Sequence, residues 1–244
     1  MRAHWSGLEF NGGNGPARFT IEEFTGLYDG VSPRGERSER PTGDGEFDSL
    51  MYLSARSGSI TGLLHATSPT DYERSLQQLA AIPFRVSTTL TAQTELGSRW
   101  IKARRSEAPN VQHLVYGRTA RFMVQWLAQD PRWYGEAREF TGNTVDVYQR
   151  GSFESFPVVE VTGSRPSGYT VSSQGHSFVV TRSVSSGETH RIDMRTGWLY
   201  VNGVLQGTGV ASADVFAIPP GRTVSVSVSG GSGSMKVKPT DTFV

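Results

Sequence analysis

Residues 121–134, RFMVQWLAQDPRWY, constrain the fold more than any other stretch of this chain. Phe122, Val124 and Trp126 alternate with Arg121, Met123 and Gln125, the period-two pattern of a strand with one buried face. The strand must stop at Asp130-Pro131, because proline has no N–H for the ladder and holds the residue before it in extended geometry. Upstream lie one helix pattern, an arginine-rich loop and at least five candidate strands; downstream lie only short strands and Gly/Ser turns. The break therefore marks the last strand of one domain and the hinge into another, with domains expected over 1–137 and 138–244. Trp133 and Tyr134, large and partly apolar beside a linker, are candidates with Asp130 and Pro131 for packing at the domain junction; the alternative is ordinary core of the first domain.

The chain has 244 residues, long enough to bury a substantial core. Its 28 glycines and 10% aromatic content suit a turn-rich β protein. It has no cysteine, which excludes disulfides and thiolate metal sites and leaves the redox compartment open. The first residues, MRAHWSGLEF, lack the apolar run of a secretory signal, and no segment approaches the roughly 20 apolar residues that span a bilayer. The expectation is a soluble protein made in a cytoplasm, with no membrane partner. Net charge is +1 and evenly divided, with 16 basic and 16 acidic residues in 1–140, then 8 and 7 in 141–244. That balance argues against a nucleic-acid footprint.

In chain order, Phe19 to Phe24 alternates as a strand between glycine turns. The loop SPRGERSERPTGDGEFDSL follows, where Pro33 and Pro41 prevent a helix from crossing Arg34, Glu36, Arg37, Glu39 and Arg40. It reads as an exposed loop, solvated or making subunit contacts through arginine forks. Asp44, Glu46 and Asp48 suggest calcium, but a loop of the EF type needs a bidentate glutamate at its twelfth position, where Ala55 stands. Asp44-Gly45 reads instead as a hairpin turn into a strand over 47–53. After a strand over 60–65, Ser68, Pro69 and Asp71 supply the cap, first position and reciprocal acid of a helix. Tyr72, Leu76, Leu79 and Ala80 form its apolar face, and Pro83 ends it. Strands over 85–93 and 99–105 pair next, with Lys102, Arg104 and Arg105 read as a polar sheet face.

Beyond the break, strands are expected over 158–161, 170–171, 178–181, 190–194, 198–201, 204–206, 215–218, 224–228 and 235–238, at the roughly ten-residue spacing of a β-sandwich. Asn202-Gly203 is the preferred pair for a two-residue hairpin, since both positions take positive φ. Val224, Val226 and Val228 alternate with serines and threonine, giving one buried face. Trp198 and Tyr200 point to one face; core is the favoured reading, with Leu199 and Val201 outside, and a sugar-stacking platform is the alternative.

The sequence shows no catalytic motif, and only a pair of carboxylates meeting in space, drawn from its 23 acids, is left open. The five histidines at 4, 65, 113, 176 and 190 are isolated, and there is no zinc spacing, nucleophile elbow, phosphate loop or thiol. No enzyme activity, cofactor or metal is expected.

Several passages carry a family likeness: GEFDSLMYLSAR ending at Arg56, Thr70-Asp71-Tyr72 opening the helix, WLAQDPRWY from Trp126 to Tyr134, and Gly151, Pro157 and Gly163 in RGSFESFPVVEVTG. Ile192-Asp193, Gly197, Asn202-Gly203 and Ile218-Pro219-Pro220-Gly221 continue it. In their order and spacing over nearly the whole chain, these resemble the distal tail (Dit) proteins of phages with long non-contractile tails. The resemblance implies a mainly β fold, with a β-sandwich-like first domain bearing one helix and forming a ring, usually of six copies, and a galectin-like or carbohydrate-module-like sandwich outside it. It implies a virion protein at the distal end of the tail, joining tube to tip, with the major tail tube protein, a tail-tip protein and the tape measure protein as partners. It brings no catalytic residues. A ring needs complementary patches, and Arg34, Arg37, Arg40, Arg118 and Arg121 are the candidate subunit-contact residues. The alternative is a module binding host cell-wall glycan, with Trp198 and Tyr200 as its platform.

Overall fold

The computed structural model describes residues 1–13, 15–36 and 39–244. Among them the chain is mainly β with a single α-helix, and it divides into two compact units, Met1–Trp133 together with Val244, and Tyr134–Phe243.

The first unit is built from β1 (Arg2–Trp5), β2 (Leu8–Phe10), β3 (Ala17–Phe24), β4 (Pro33–Arg34), β5 (Tyr52–Leu53), β6 (Arg56–Ala66), α1 (Pro69–Ala80), β7 (Thr88–Thr94), β8 (Gly97–Arg105), β9 (Asn110–Val115) and β10 (Thr119–Ala128). Its wall runs β8-β7-β1-β2-β3-β6-β10, and β10 returns to β8 through Trp126↔Arg105 and Leu127↔Arg104, closing a seven-stranded barrel. The expected β-sandwich-like arrangement is thus corrected to a closed barrel. The reason lies in strand length: β9 pairs only with Thr119 to Met123, so the far half of the ten-residue β10 is left to take the edge of β8. Inside, Ala120, Phe122, Val124, Trp126 and Ala128 are all buried, as their alternation predicts. The Phe122 ring lies 5.8 Å from Phe10 and 5.4 Å from Phe19.

The helix starts where its cap predicts, with Asp71 N donating to Ser68 Oγ at 3.1 Å and Pro69 in the first turn. Its buried face is Tyr72, Ser75 and Leu79, whereas Leu76 is half-buried and Ala80 exposed. Ser75 can be buried because its hydroxyl donates to Asp71 O at 2.7 Å. The strand expected over 47–53 shrinks to the two residues of β5, paired with β4 in a thin ribbon that offers Phe47 and Leu50 no core to enter.

The second unit opens within β11 (Trp133–Ala137) and continues through β12 (Phe140–Gly142), β13 (Thr144–Val147), β14 (Val158–Ser164), β15 (Tyr169–Ser173), β16 (His176–Val180), β17 (Thr189–Asp193), β18 (Trp198–Val201), β19 (Val204–Leu205), β20 (Val210–Ala213), β21 (Val224–Ser229), β22 (Ser232–Lys238) and β23 (Thr240–Phe243). Two antiparallel sheets, β12-β22-β14-β17-β18-β19 and β13-β21-β15-β16-β20, enclose one core that includes Val159, Val161, Phe178, Ile192, Leu199, Val226 and Met235. Asn202 and Gly203 take φ of 47° and 84°, the hairpin geometry the dipeptide predicts. No strand forms over 215–218: Ile218 makes an isolated bridge to Ser155, and Phe216 and Ile218 enter the core from a loop.

One polar cluster is buried in this core. His190 is fully buried, its Nδ1 lies 3.3 Å from the Tyr169 hydroxyl, and the Arg165 guanidinium reaches the Gly230 carbonyl and lies over the Tyr169 ring. Burial lowers the His190 pKa, opposed by Glu188 and reinforced by Arg182. A histidine held neutral in the fold refuses a proton that the unfolded chain accepts near its ordinary value of 6.5. Stability contributed this way is present above that pH and is lost as pH falls below it. Urea midpoints of the second unit are therefore expected to drop between pH 7.5 and pH 5, with a smaller drop in His190→Gln. Equal slopes would assign the pH dependence to other groups.

Candidate assembly surfaces

The end of the barrel beside Asp130-Pro131 is held by one buried cation. Arg56, the first residue of β6, is 3% exposed. Its Nε donates to Pro131 O at 2.6 Å, and its Nη1 to Gly26 O at 3.0 Å and Asp29 O at 2.6 Å. Burial pulls the Arg56 pKa down, with Asp29 acting in the opposite direction. Trp133 Nε1 donates to the same Gly26 carbonyl at 2.9 Å, and its ring stands edge-on to Trp126 at 5.8 Å and 6.2 Å from Phe24. The Trp126 indole covers Gly26 and Gly58, where an added Cβ would come within 2.6 and 2.5 Å of Trp126 Cζ2. Asp130 Oδ1 accepts from Arg132 N at 3.2 Å, shaping the turn. Of the four junction candidates, Asp130, Pro131 and Trp133 thus make these contacts within the first unit. Tyr134 opens the second, its hydroxyl accepting from Arg195 Nη1 at 2.7 Å.

From this end projects an arm, 32–54. It is a ribbon joined by Pro33↔Leu53, Arg34↔Tyr52 and a bridge between Glu39 and Glu46. Every described residue from 32 to 52 is exposed, among them Phe47, Leu50, Met51 and Tyr52, with Leu50 at 73%. Arg34 lies in the ribbon and the Arg40 guanidinium sits 5.9 Å over the Phe47 ring; Arg37 lies outside the described residues. The other two arginine candidates are elsewhere. Arg118 donates to the Thr67 carbonyl and Arg121 pairs with Glu22 at 3.3 Å, both exposed and near the opposite end of β6, some eleven residues or about 33 Å along the strand.

Beside them is a surface the sequence did not disclose. β9 is an outer strand with every residue exposed except half-buried Val111, and its following residues leave Tyr116 at 75% exposure. Asn110 to Val115 has no alternation, so a period search passes over it. The arm carries Phe47, Met51, Tyr52, Arg34 and Arg40, side-chain types enriched where proteins meet, and β9, itself NVQHLV, is followed by Tyr116 and Arg118.

In the second unit the core reading of Trp198 and Tyr200 is overturned. Leu199 and Val201 face the core, and Trp198 is 52% exposed. Arg191 and Asp193 stand opposite Tyr200 and Trp198 on β17, and the Arg191 guanidinium lies 5.1 Å over the Tyr200 ring. The neighbouring strand decided the face, because Ile192 pairs with Leu199 and both enter the core.

Among the described residues, no group of three His, Asp or Glu is placed to hold a metal, and no helix is long and apolar enough to cross a membrane.

No protein-family model and no curated protein matches the chain. Among solved structures it is similar to the Dit protein of phage SPP1, a paradigm of the hub adsorption apparatus in phages infecting Gram-positive bacteria. The likeness has a TM-score of 0.75 at 14% identity and covers 92% of this chain and 93% of that one. Chains of the phage P2 baseplate in its activated conformation, with calcium and with strontium, match at 8% and 10% identity. They cover 93% and 92% of this chain and 91% of theirs, but their TM-scores of 0.49 and 0.43 carry no argument. The chain therefore has a Dit-like fold over nearly its whole length.

Proposed function

We propose that this chain is a structural hub protein of a phage tail, in which about six copies form a ring through the first unit. The ring sits at the distal end of the tail and joins the tail tube to the tail-tip protein, with the tape measure protein as a further partner. The second unit stands outside as a galectin-like sandwich, and the protein catalyses nothing. The observation that carries this reading is the fold likeness to a hub protein across both units, 92% of one chain on 93% of the other. Exposed apolar side chains on the arm and β9 supply contact surfaces, with Arg34, Arg37 and Arg40 assigned to the arm and Arg118 and Arg121 to the region just after β9. Light scattering and negative-stain imaging of the purified protein test it. A ring near six times the 26.6 kDa chain is expected, and a monomer at every concentration would overturn it.

Reversing Arg118 and Arg121 together to glutamate is expected to abolish the ring and to lower the melting temperature by only a few degrees, through loss of the exposed contacts to the Thr67 carbonyl and Glu22. The Arg121–Glu22 pair is exposed and contributes at most about 1 kcal/mol. Intact rings in this variant would remove both residues from the interface.

The outward Trp198 favours a second reading, a site for host cell-wall glycan on the face of β17 and β18. A tryptophan half in water beside Tyr200, Arg191 and Asp193 offers a stacking surface with hydrogen-bonding groups around it. On a glycan array the full chain is expected to bind, and Trp198→Ala to weaken binding about tenfold. No binding by the parent protein would dispose of this reading and leave the ring untouched.

A further inference from the structure

We infer that the free edge of β9 receives the acidic arm of a second copy of this chain. This rests on the ring reading and names the two surfaces that close the ring.

Three observations converge on β9. It ends its sheet, pairing with β10 alone among the described residues, so every second residue turns its N–H and C=O away from any strand. The strand NVQHLV contains no charge, proline or glycine, the devices that protect exposed edges. Leu114, Val115 and Tyr116 then stand 48%, 57% and 75% exposed beside that edge. Among the described residues, the seven strands of the barrel wall each have neighbours on both sides.

The arm has the complementary properties. It is itself a ribbon with unpaired outer edges, and its exposed Phe47, Leu50, Met51 and Tyr52 lie on no core. Charge distinguishes it from a second β9. The arm carries five carboxylates, Glu36, Glu39, Asp44, Glu46 and Asp48, against three arginines, while 110–123 carries Arg118 and Arg121 and no carboxylate. Two β9 edges brought together would place these arginines on both partners; an arm on β9 pairs opposite signs. Arm and edge are also different surfaces near opposite ends of β6, so their contact is heterologous and repeats from copy to copy, as a ring requires.

The chain has no cysteine, so introduced thiols report without background. Leu50→Cys and Leu114→Cys in one chain, oxidised after assembly, should yield a ladder of multimers ending at the size of the ring, while each single variant stays monomeric on a denaturing gel. Leu114→Lys, at an exposed position, should keep its melting temperature and need at least about tenfold more protein to form rings. Crosslinked dimers from Leu114→Cys alone would show β9 meeting β9 and overturn the inference. Rings that form without intermolecular crosslinks in the double variant, or that ignore Leu114→Lys, would overturn it and leave the ring reading standing. A protein that forms no oligomer at all would overturn both.

Discussion

Arg56→Met is expected to destabilise the first unit by about 1–3 kcal/mol. Methionine fills much of the same space, so the loss reports on hydrogen bonding rather than on a cavity. Without the guanidinium, Pro131 O and Asp29 O lose their donors at part-buried positions, while the buried Gly26 O keeps the Trp133 indole. A carbonyl left unsatisfied costs roughly 1–3 kcal/mol when fully buried and less where water reaches it, as it does here. Relief of the desolvated cation, whose burial lowers its pKa, offsets part of this. Arg56→Lys should recover only a fraction, because an ammonium cannot present the planar fork that spans these carbonyls. Urea unfolding followed by tryptophan emission checks this, since Trp5, Trp126 and Trp133 are buried in the first unit and Trp198 of the second is largely exposed. A loss under about 1 kcal/mol would show that these loops hold their positions without Arg56.

Gly62→Ala is expected to prevent the barrel from forming or to cost more than about 4 kcal/mol. Gly62 lies in the middle of β6, opposite Phe122 on one side and Ile21 on the other, where the register of β3 shifts. A Cβ there would sit 1.8 Å from Thr20 O and 2.9 Å from Thr20 C. Both are backbone atoms of the neighbouring strand, so no side chain can turn aside; the β3–β6 ladder itself would have to open. The control is Gly30→Ala, where nothing lies within 4 Å of the added atom and the change should stay within about 0.5 kcal/mol. Soluble Gly62→Ala protein with a melting temperature close to that of Gly30→Ala would refute the close-approach account.

Both effects depend on residues whose importance is invisible in their own neighbourhoods. Arg56 closes GEFDSLMYLSAR as one more arginine, and only the return of the chain 75 residues later places Pro131 O against it. Gly62 stands inside an ordinary strand pattern, and its need to be glycine comes from Thr20 across the sheet. The arm is similar: an apolar run at 47–53 suggests a buried strand, but burial requires a surface to pack on, and the barrel presents none there. At β18, two alternating pairs of apolar residues leave neither face clearly polar, and the aromatic pair is the one expected to be buried. Pairing with Ile192 on β17 chose Leu199 and turned Trp198 to water.

What the sequence determined by itself was everything governed by a few consecutive residues. It includes the buried alternation from Phe122 to Trp126, the stop at Asp130-Pro131, the Ser68 cap of the helix and the positive φ pair at Asn202-Gly203. Each follows from local sterics and hydrogen bonding that no distant contact needed to supply. Only the tertiary structure decided that the first unit closes as a barrel, that Arg56 is buried, that Trp198 faces out, and that one edge of β9 and the apolar side chains of the arm stand exposed. Of β9, only one edge is paired among the described residues, with β10, and the ribbon of the arm pairs with itself. All of this depends on which strands, far apart in the chain, come to lie side by side. Side-chain periodicity marks a face to bury, but a face is only buried when a partner is there to cover it.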